Sequence, residues 1–151
     1  MRGLLPSLLL IAACGSGSRA PGADLSGFRV ERIAVDGVAI ETWLAETPAQ
    51  RAQGLMHATA EQVAPLPGGT PRGMLFLFPA PAILSFWMRD TIVPLDLAYA
   101  TADGTIVEVH ALVPLDLTPV PSSQPVQYAL EVPAGTLASM GWAPGSKIDL
   151  P

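Results

Sequence analysis

Residues 28–45 read FRVERIAV-DG-VAIETWLA. Two runs rich in Val, Ile and alternating apolar side chains flank Asp36-Gly37, the strongest short-range signal for a two-residue hairpin. The same texture recurs outward along the chain. Further short strands are expected at 74–78, 82–88, 95–100, 105–109, 126–132 and 147–150, with Asp103-Gly104 turning a second hairpin and Pro79 and Pro81 punctuating the run between 74 and 88. Thr47-Pro48-Ala49-Gln50 combines an N-cap, a first-turn proline and a capping-box glutamine, so a helix is expected over 48–53, with Gly54 as its stop. Residues 59–63 suggest a second turn, and 136–140 a third that ends at Gly141. About eight strands with turn signals every ~8–12 residues predict an all-β, antiparallel sandwich or barrel with one or two short helices. No regular βαβ alternation and no internal repeat are visible, which argues against a dinucleotide-binding fold.

The chain has 151 residues, half of them hydrophobic, and a formal net charge of −5. That length suits one domain with a core large enough to fold without disulfide or metal. The acidic balance opposes nucleic acid as a partner, because phosphate binding needs a basic face. A single cysteine excludes an internal disulfide, a CxxC redox pair and a multi-thiolate zinc site.

That cysteine sits in a leader. Arg2 precedes a short apolar stretch, residues 4–13, which has the layout of a secretory signal and is too short to span a bilayer. Ile11-Ala12-Ala13-Cys14 resembles the bacterial lipobox, which implies cleavage after Ala13 and acylation of Cys14. Several acyl chains on one residue exceed the two signals that stable anchoring needs. Gly15, rather than an acidic residue, points by the same resemblance to the outer membrane, facing the periplasm. The expected organisation is a signal peptide (1–13), a lipidated Cys14 with a Gly/Ser/Pro-rich tether (14–27) and one β-rich domain (28–151).

Several blocks in order resemble the domain of unknown function 192 (DUF192) family. They are RAQGLM at 51–56, GMLFLFP at 73–79, SFWMRDT at 85–91, Pro94-Leu95-Asp96, Asp103-Gly104, Leu130-Glu131 and Ala134-Gly135. The resemblance implies a compact, mainly β fold of jelly-roll-like form, often exported, with no established activity. The chain departs from the pattern at His57-Ala58, where an aromatic-Arg pair is usual, at Arg89-Asp90, which replaces Lys-Asn, and at Gly145-Ser146, which replaces Gly-Asp.

Three constellations are candidates for chemistry. On a strand, Trp87 and Arg89 share one face and Phe86 and Met88 the other. Trp87 and Arg89, with Asp90 and Asp96, would form a polar cleft with an aromatic wall suited to a small polar ligand such as a saccharide. Arg51 and Glu131 stand behind them, with Glu131 pairing Arg51 or Arg89. The plainer alternative buries Trp87 in the core and makes Arg89–Asp96 an ion pair that fixes a turn.

The second constellation is Met56, His57, Met74, Met88 and His110, soft ligands of the kind that hold Cu(I). Their spacing is irregular and two of the methionines lie in apolar strands, so no metal site and no cofactor are expected. The third is a carboxylate pair among Asp90, Asp96, Asp103, Asp116 and Glu131, as a saccharide hydrolase would need. No nucleophile elbow, zincin helix or phosphate loop accompanies it. The leading expectation is therefore an envelope-anchored binding or accessory domain, with a hydrolase or a protein-interaction module as alternatives.

Overall fold

The computed structural model describes residues 21–151. The expected signal segment, Cys14 and the first part of the tether lie outside the described residues. Those described form nine strands and three short helices. Strands β1 (Arg29–Val35), β2 (Val38–Ala45), β3 (Arg72–Ala82), β5 (Leu95–Ala100), β6 (Ile106–Leu112), β8 (Val126–Pro133) and β9 (Ile148–Asp149) make one curled sheet, ordered β6-β5-β8-β3-β2-β1-β9. Strands β4 (Ser85–Phe86) and β7 (Val120–Pro121) pair separately. The all-β expectation holds.

The first hairpin forms as its turn residues dictate. Asp36 (φ 49°) and Gly37 (φ 78°) both take positive φ, as the favoured two-residue turn requires, and Val35 pairs with Val38. Not every pair is antiparallel, however. Strands β2 and β3 run parallel, Leu44 beside Leu75, because residues 46–71 carry helices α1 (Pro48–Gln53) and α2 (Ala60–Val63) as a crossover. Pro79 and Pro81 do not end β3. They sit in its exposed end, where the register with β8 shifts between Leu77 and Ala82, a bulge that tolerates residues without an N–H. The expected buried strand at 82–88 shrinks to β4, since only Leu84 and Met88 of that run are buried.

The curl nearly closes the sheet into a barrel. Residues 145–149 bridge the two edges: Ile148 and Asp149 pair with Val35 and Ala34 of β1, while Ile106 N donates to Ser146 O (2.8 Å) and Ile148 N to Gly104 O (2.9 Å) at the start of β6. A Cβ on Gly104, whose φ is +85°, would lie 2.4 Å from the Ile148 carbonyl oxygen, so only glycine permits this closure.

Strand alternation then gives the sheet two apolar faces. Ile33, Ile40, Leu44, Leu75, Leu130 and Val132 fill the barrel with Leu137 of helix α3 (Thr136–Met140) and Trp142. Trp43, Met74, Phe76, Leu97, Tyr99 and Ala129 face outward and are covered by Leu55, Val63, Leu84 and Met88 from the crossover and the small sheet.

The folded body begins before residue 28. Ala23 and Leu25 pack on the outward-facing core, and side-chain amides from the crossover hold this segment through Gln62 Nε2 to Ala23 O (2.8 Å), Gln53 Nε2 to Asp24 O (2.8 Å) and Gln50 Nε2 to Gly27 O (2.9 Å). Residues 23–27, read from composition as tether, are thus docked on the domain. No helix among the described residues is long and apolar enough to cross a membrane.

Candidate functional site

Strand β8 lies between β3 and β5, with Glu131 in register with Met74 on one side and Leu97 on the other. Period-two alternation turns Leu130 and Val132 into the barrel and leaves Ala129 and Glu131 on the outward-facing core. Glu131 is therefore a carboxyl set in an apolar layer, 4% exposed. Burial pushes its pKa up from 4.5 to about 8, so it holds its proton at neutral pH. Among the described residues no side chain pairs with it.

Glu131 opens instead onto a cavity of about 300 Å³, lined by Phe76, Phe78, Phe86, Trp87, Met56 and Leu55 as well as the polar Arg51, Gln53, Ser85 and Thr91. It is the only acid in that lining. The rings hold one another by edges. Phe76 and Phe86 meet at 4.8 Å between centroids with planes at 89°, and Phe86 meets Tyr99 at 5.8 Å. The Tyr99 phenol donates to Val120 O at 2.6 Å, which ties the cavity wall to β7.

Arg51, in the last turn of α1, does not meet Glu131 or Asp96. Its Nη1 donates to Glu46 O (2.6 Å) and Leu77 O (2.8 Å), and the guanidinium lies 4.9 Å over the Phe78 ring. Gly54 follows α1 with φ +49°, and a Cβ there would approach Phe76 to 3.3 Å. That glycine lets the chain turn over the cavity without displacing its ring.

Trp87 stands at the rim, 45% exposed, rather than in the core. Although residues 87–89 lie outside β4, the Arg89 guanidinium stacks 5.6 Å from the Trp87 indole. Arg89 pairs with Asp90 (3.5 Å), not with Asp96 or Glu131. Trp87, Arg89 and Asp90 line a second, shallower hollow of about 390 Å³ with Leu115 and Leu117. Asp96 belongs to neither hollow, because its Oδ2 accepts from Gly135 N (2.8 Å) and Leu137 N (3.2 Å) at the start of α3. Of the six expected ligand residues, the structure brings Trp87, Arg51 and Glu131 to one cavity and Trp87, Arg89 and Asp90 to its neighbour. It sets Asp96 apart.

Three loops meet at this rim through backbone bonds: His57 N to Asp90 O (2.8 Å), Leu115 N to Thr91 O (3.1 Å) and Met88 N to Asp116 O (2.8 Å). His57, Asp90 and Leu115 all have positive φ (62°, 52° and 63°), a strained conformation for side-chain-bearing residues that clusters at ligand sites.

The remaining candidates have structural partners. Asp103 accepts from Thr101 Oγ1, Thr105 N and Lys147 Nζ, and these hydrogen bonds hold its carboxyl well below the usual range. Asp116 caps its own turn at Thr118 N (2.8 Å). Met74 and Met88 are core, and His110 Nε2 meets Glu108 Oε1 at 2.8 Å. No group of three or more His, Cys, Asp or Glu able to hold a metal occurs among the described residues. A paired-carboxylate hydrolytic site is not assembled in this cavity either, with Glu131 its single acid.

Residues 31–150 match the family model DUF192, described as "Uncharacterized ACR". A Sinorhizobium meliloti 1021 protein whose crystal structure is described as that of a candidate transcription regulator is 35% identical, with a TM-score of 0.72, covering 81% of this chain and 94% of its own. A protein of unknown function from Novosphingobium aromaticivorans DSM 12444 is 32% identical, with a TM-score of 0.73, covering 86% of this chain and 91% of its own. No curated protein matches.

Proposed function

The chain belongs to the DUF192 family of uncharacterized proteins, and from that premise we propose that it is an exported, envelope-anchored lipoprotein whose β domain binds a small ligand at Glu131. The observation that carries the binding reading is the cavity itself. A buried acid with no side-chain partner among the described residues turns into a hollow walled by four aromatic rings, and an ionisable group with a shifted pKa in such a hollow marks a ligand site. Trp87 at the rim supplies a face for an entering ligand, a saccharide among them. Anchoring rests on Cys14 and the apolar stretch before it. The acidic chain makes nucleic acid a poor partner, whatever the label of the Sinorhizobium relative.

Both halves are open to direct test. Labelled palmitate is incorporated by the wild type and not by Cys14→Ser, and the wild type fractionates with the outer membrane; equal labelling of the two removes the anchor. For the cavity, melting is followed across saccharides, peptidoglycan fragments and small organic ions. Ligand at about a hundred times its Kd stabilises by about 2.7 kcal/mol, a shift of several degrees. Trp87→Ala abolishes that shift, while Asp96→Ala, which loses only the α3 cap, melts lower but keeps it. A panel without any shift in the wild type overturns the binding reading.

A second reading, a protein-interaction module, is favoured by Leu115 (59% exposed) and Leu117 (60%) beside Trp87 in the neighbouring hollow. It requires that Leu117→Asp abolish co-purification of an envelope protein while the ligand shift persists.

A further inference from the structure

We propose that the cavity takes a small organic ammonium ion, its charge against the Glu131 carboxylate and its alkyl groups against Phe76, Phe86 and Trp87. This rests on the ligand-cavity reading above and narrows it to one chemical class. A carboxyl in an apolar layer either keeps its proton or acquires a counter-charge. Among the described residues no side chain supplies that charge. Arg51 is the only cation in the lining, and its guanidinium is held by Glu46 O, Leu77 O and the Phe78 ring. The ligand is left to bring it.

The walls point the same way. Aromatic faces attract cations through their quadrupoles, most strongly when the site is desolvated, and alkylammonium ions are held in such ring-lined boxes. A neutral saccharide would set its hydroxyls against three phenylalanines that cannot accept them, leaving polar groups unpaired. A divalent metal is held by clustered carboxylates, imidazoles or thiolates, and no second acid, histidine or cysteine stands beside Glu131 in the lining. The volume suits a small ion, being at the lower end of ligand cavities. The chain's net charge of −5 favours cations over anions near it.

Binding then carries a proton balance. Below about pH 8 the empty site holds the neutral acid, so an entering ammonium ion forms the ion pair as the Glu131 proton leaves to solvent. The charged and titratable groups on the elements packed against Glu131 are Arg51 of α1, Arg72 of β3, which pairs with Glu41, and Asp96 and Tyr99 of β5; Asp96 accepts from Gly135 N and Leu137 N, and burial pushes the Tyr99 phenol up out of range. Strand β3 adds Met74 and Phe76, and β4 adds Ser85 and Phe86, none of which titrates.

The experiment is calorimetry of the full chain with choline and with its neutral carbon isostere, 3,3-dimethylbutan-1-ol. At about pH 8.5 the wild type binds choline at least about tenfold tighter than the isostere, and its affinity falls up to about tenfold per unit as pH drops from ~8 to ~6. Comparing buffers of different ionisation enthalpy over that interval gives a proton released on binding. Glu131→Gln, nearly isosteric, loses most of the preference for choline over the isostere and binds choline alike at all pH values. Equal affinity for choline and isostere in the wild type, or choline affinity indifferent to pH, overturns the inference; the wild-type titration decides this even where the variant does not fold. Binding of N-acetylglucosamine without choline, lost in Trp87→Ala, overturns the ammonium assignment and leaves the cavity reading standing. Failure of every compound overturns both.

Discussion

Glu131 holds its proton in the folded protein up to about pH 8, whereas in the unfolded chain it releases it near 4.5. Below the lower value both states are protonated and the residue's contribution to stability is fully present. Between the two the unfolded state alone gains by ionising, so stability falls by about 1.4 kcal/mol per pH unit, and above ~8 it levels off. The exposed carboxylates act in the opposite sense. Asp24, Asp36, Asp103 and Asp116 are hydrogen-bonded and lie below their usual 3.8, so what they add is present above that value and lost as pH falls further. Stability is therefore expected to peak in mildly acid solution. Urea unfolding of wild type and Glu131→Gln from about pH 4.5 to 8 measures it: the wild type loses stability across the range and the variant does not. Parallel curves would mean that Glu131 ionises normally in the fold. The sequence offered this residue as an acid in an alternating strand, behind the cleft and paired with Arg51 or Arg89, not as an unpaired buried group. Its isolation depends on Arg51 turning to backbone carbonyls, which no spacing announces.

At the scale of elements, two T-x-x-Q boxes organise the crossover. Thr47 with Gln50 and Thr59 with Gln62 each cap a helix too short to persist alone, and both glutamines then reach across to the leading segment. Gln62 is the heavier hinge of the two, with its Oε1 accepting from Thr59 N and Ala23 N while Nε2 donates to Ala23 O. Gln62→Ala is expected to cost about 1–2 kcal/mol and to speed amide exchange at residues 23–27, with β-strand amides unchanged. Unaltered exchange there would show that Ala23 and Leu25 are held by packing alone. The first of these boxes was legible from its residue types, as were both Asp-Gly turns and all six strands of five or more residues, because local chemistry decides them. What was not legible is non-local. The parallel pairing of β2 with β3, the bulge that carries β3 past two prolines, and the docking of 23–27 are set by partners distant in sequence. The run at 82–88 misled for a related reason, since its apolar residues cover a core rather than join a sheet. The phenylalanines of the cavity were legible as buried but not as a wall, because only Arg51 and Glu131 mark which side of β3 they face.

For the molecule as a whole, the closed end of the barrel determines where a ligand can go. Ile33, Leu44, Leu75, Leu130 and Trp142 occupy the interior, so the barrel is packed and the open hollow is on the outer face, between sheet and crossover. That division depends on the sheet keeping its curl, which residues 145–149 enforce by bonding to both edges. Two substitutions separate backbone from charge at this seam. Gly104→Ala forces a side chain into positive φ and against the Ile148 carbonyl, and is expected to cost about 2–3 kcal/mol. Lys147→Ala removes an exposed ion pair to Asp103 and is expected to cost under about 1 kcal/mol. Denaturant midpoints measure both, and a larger loss for Lys147→Ala than for Gly104→Ala would show that charge, not chain approach, holds the seam. Choline affinity of folded Gly104→Ala bears on the coupling between the two faces. Because β8 sends Leu130 inward and Glu131 outward, a barrel that relaxes at the seam shifts the strand carrying the acid. Affinity is therefore expected to fall together with stability, whereas Lys147→Ala leaves it unchanged.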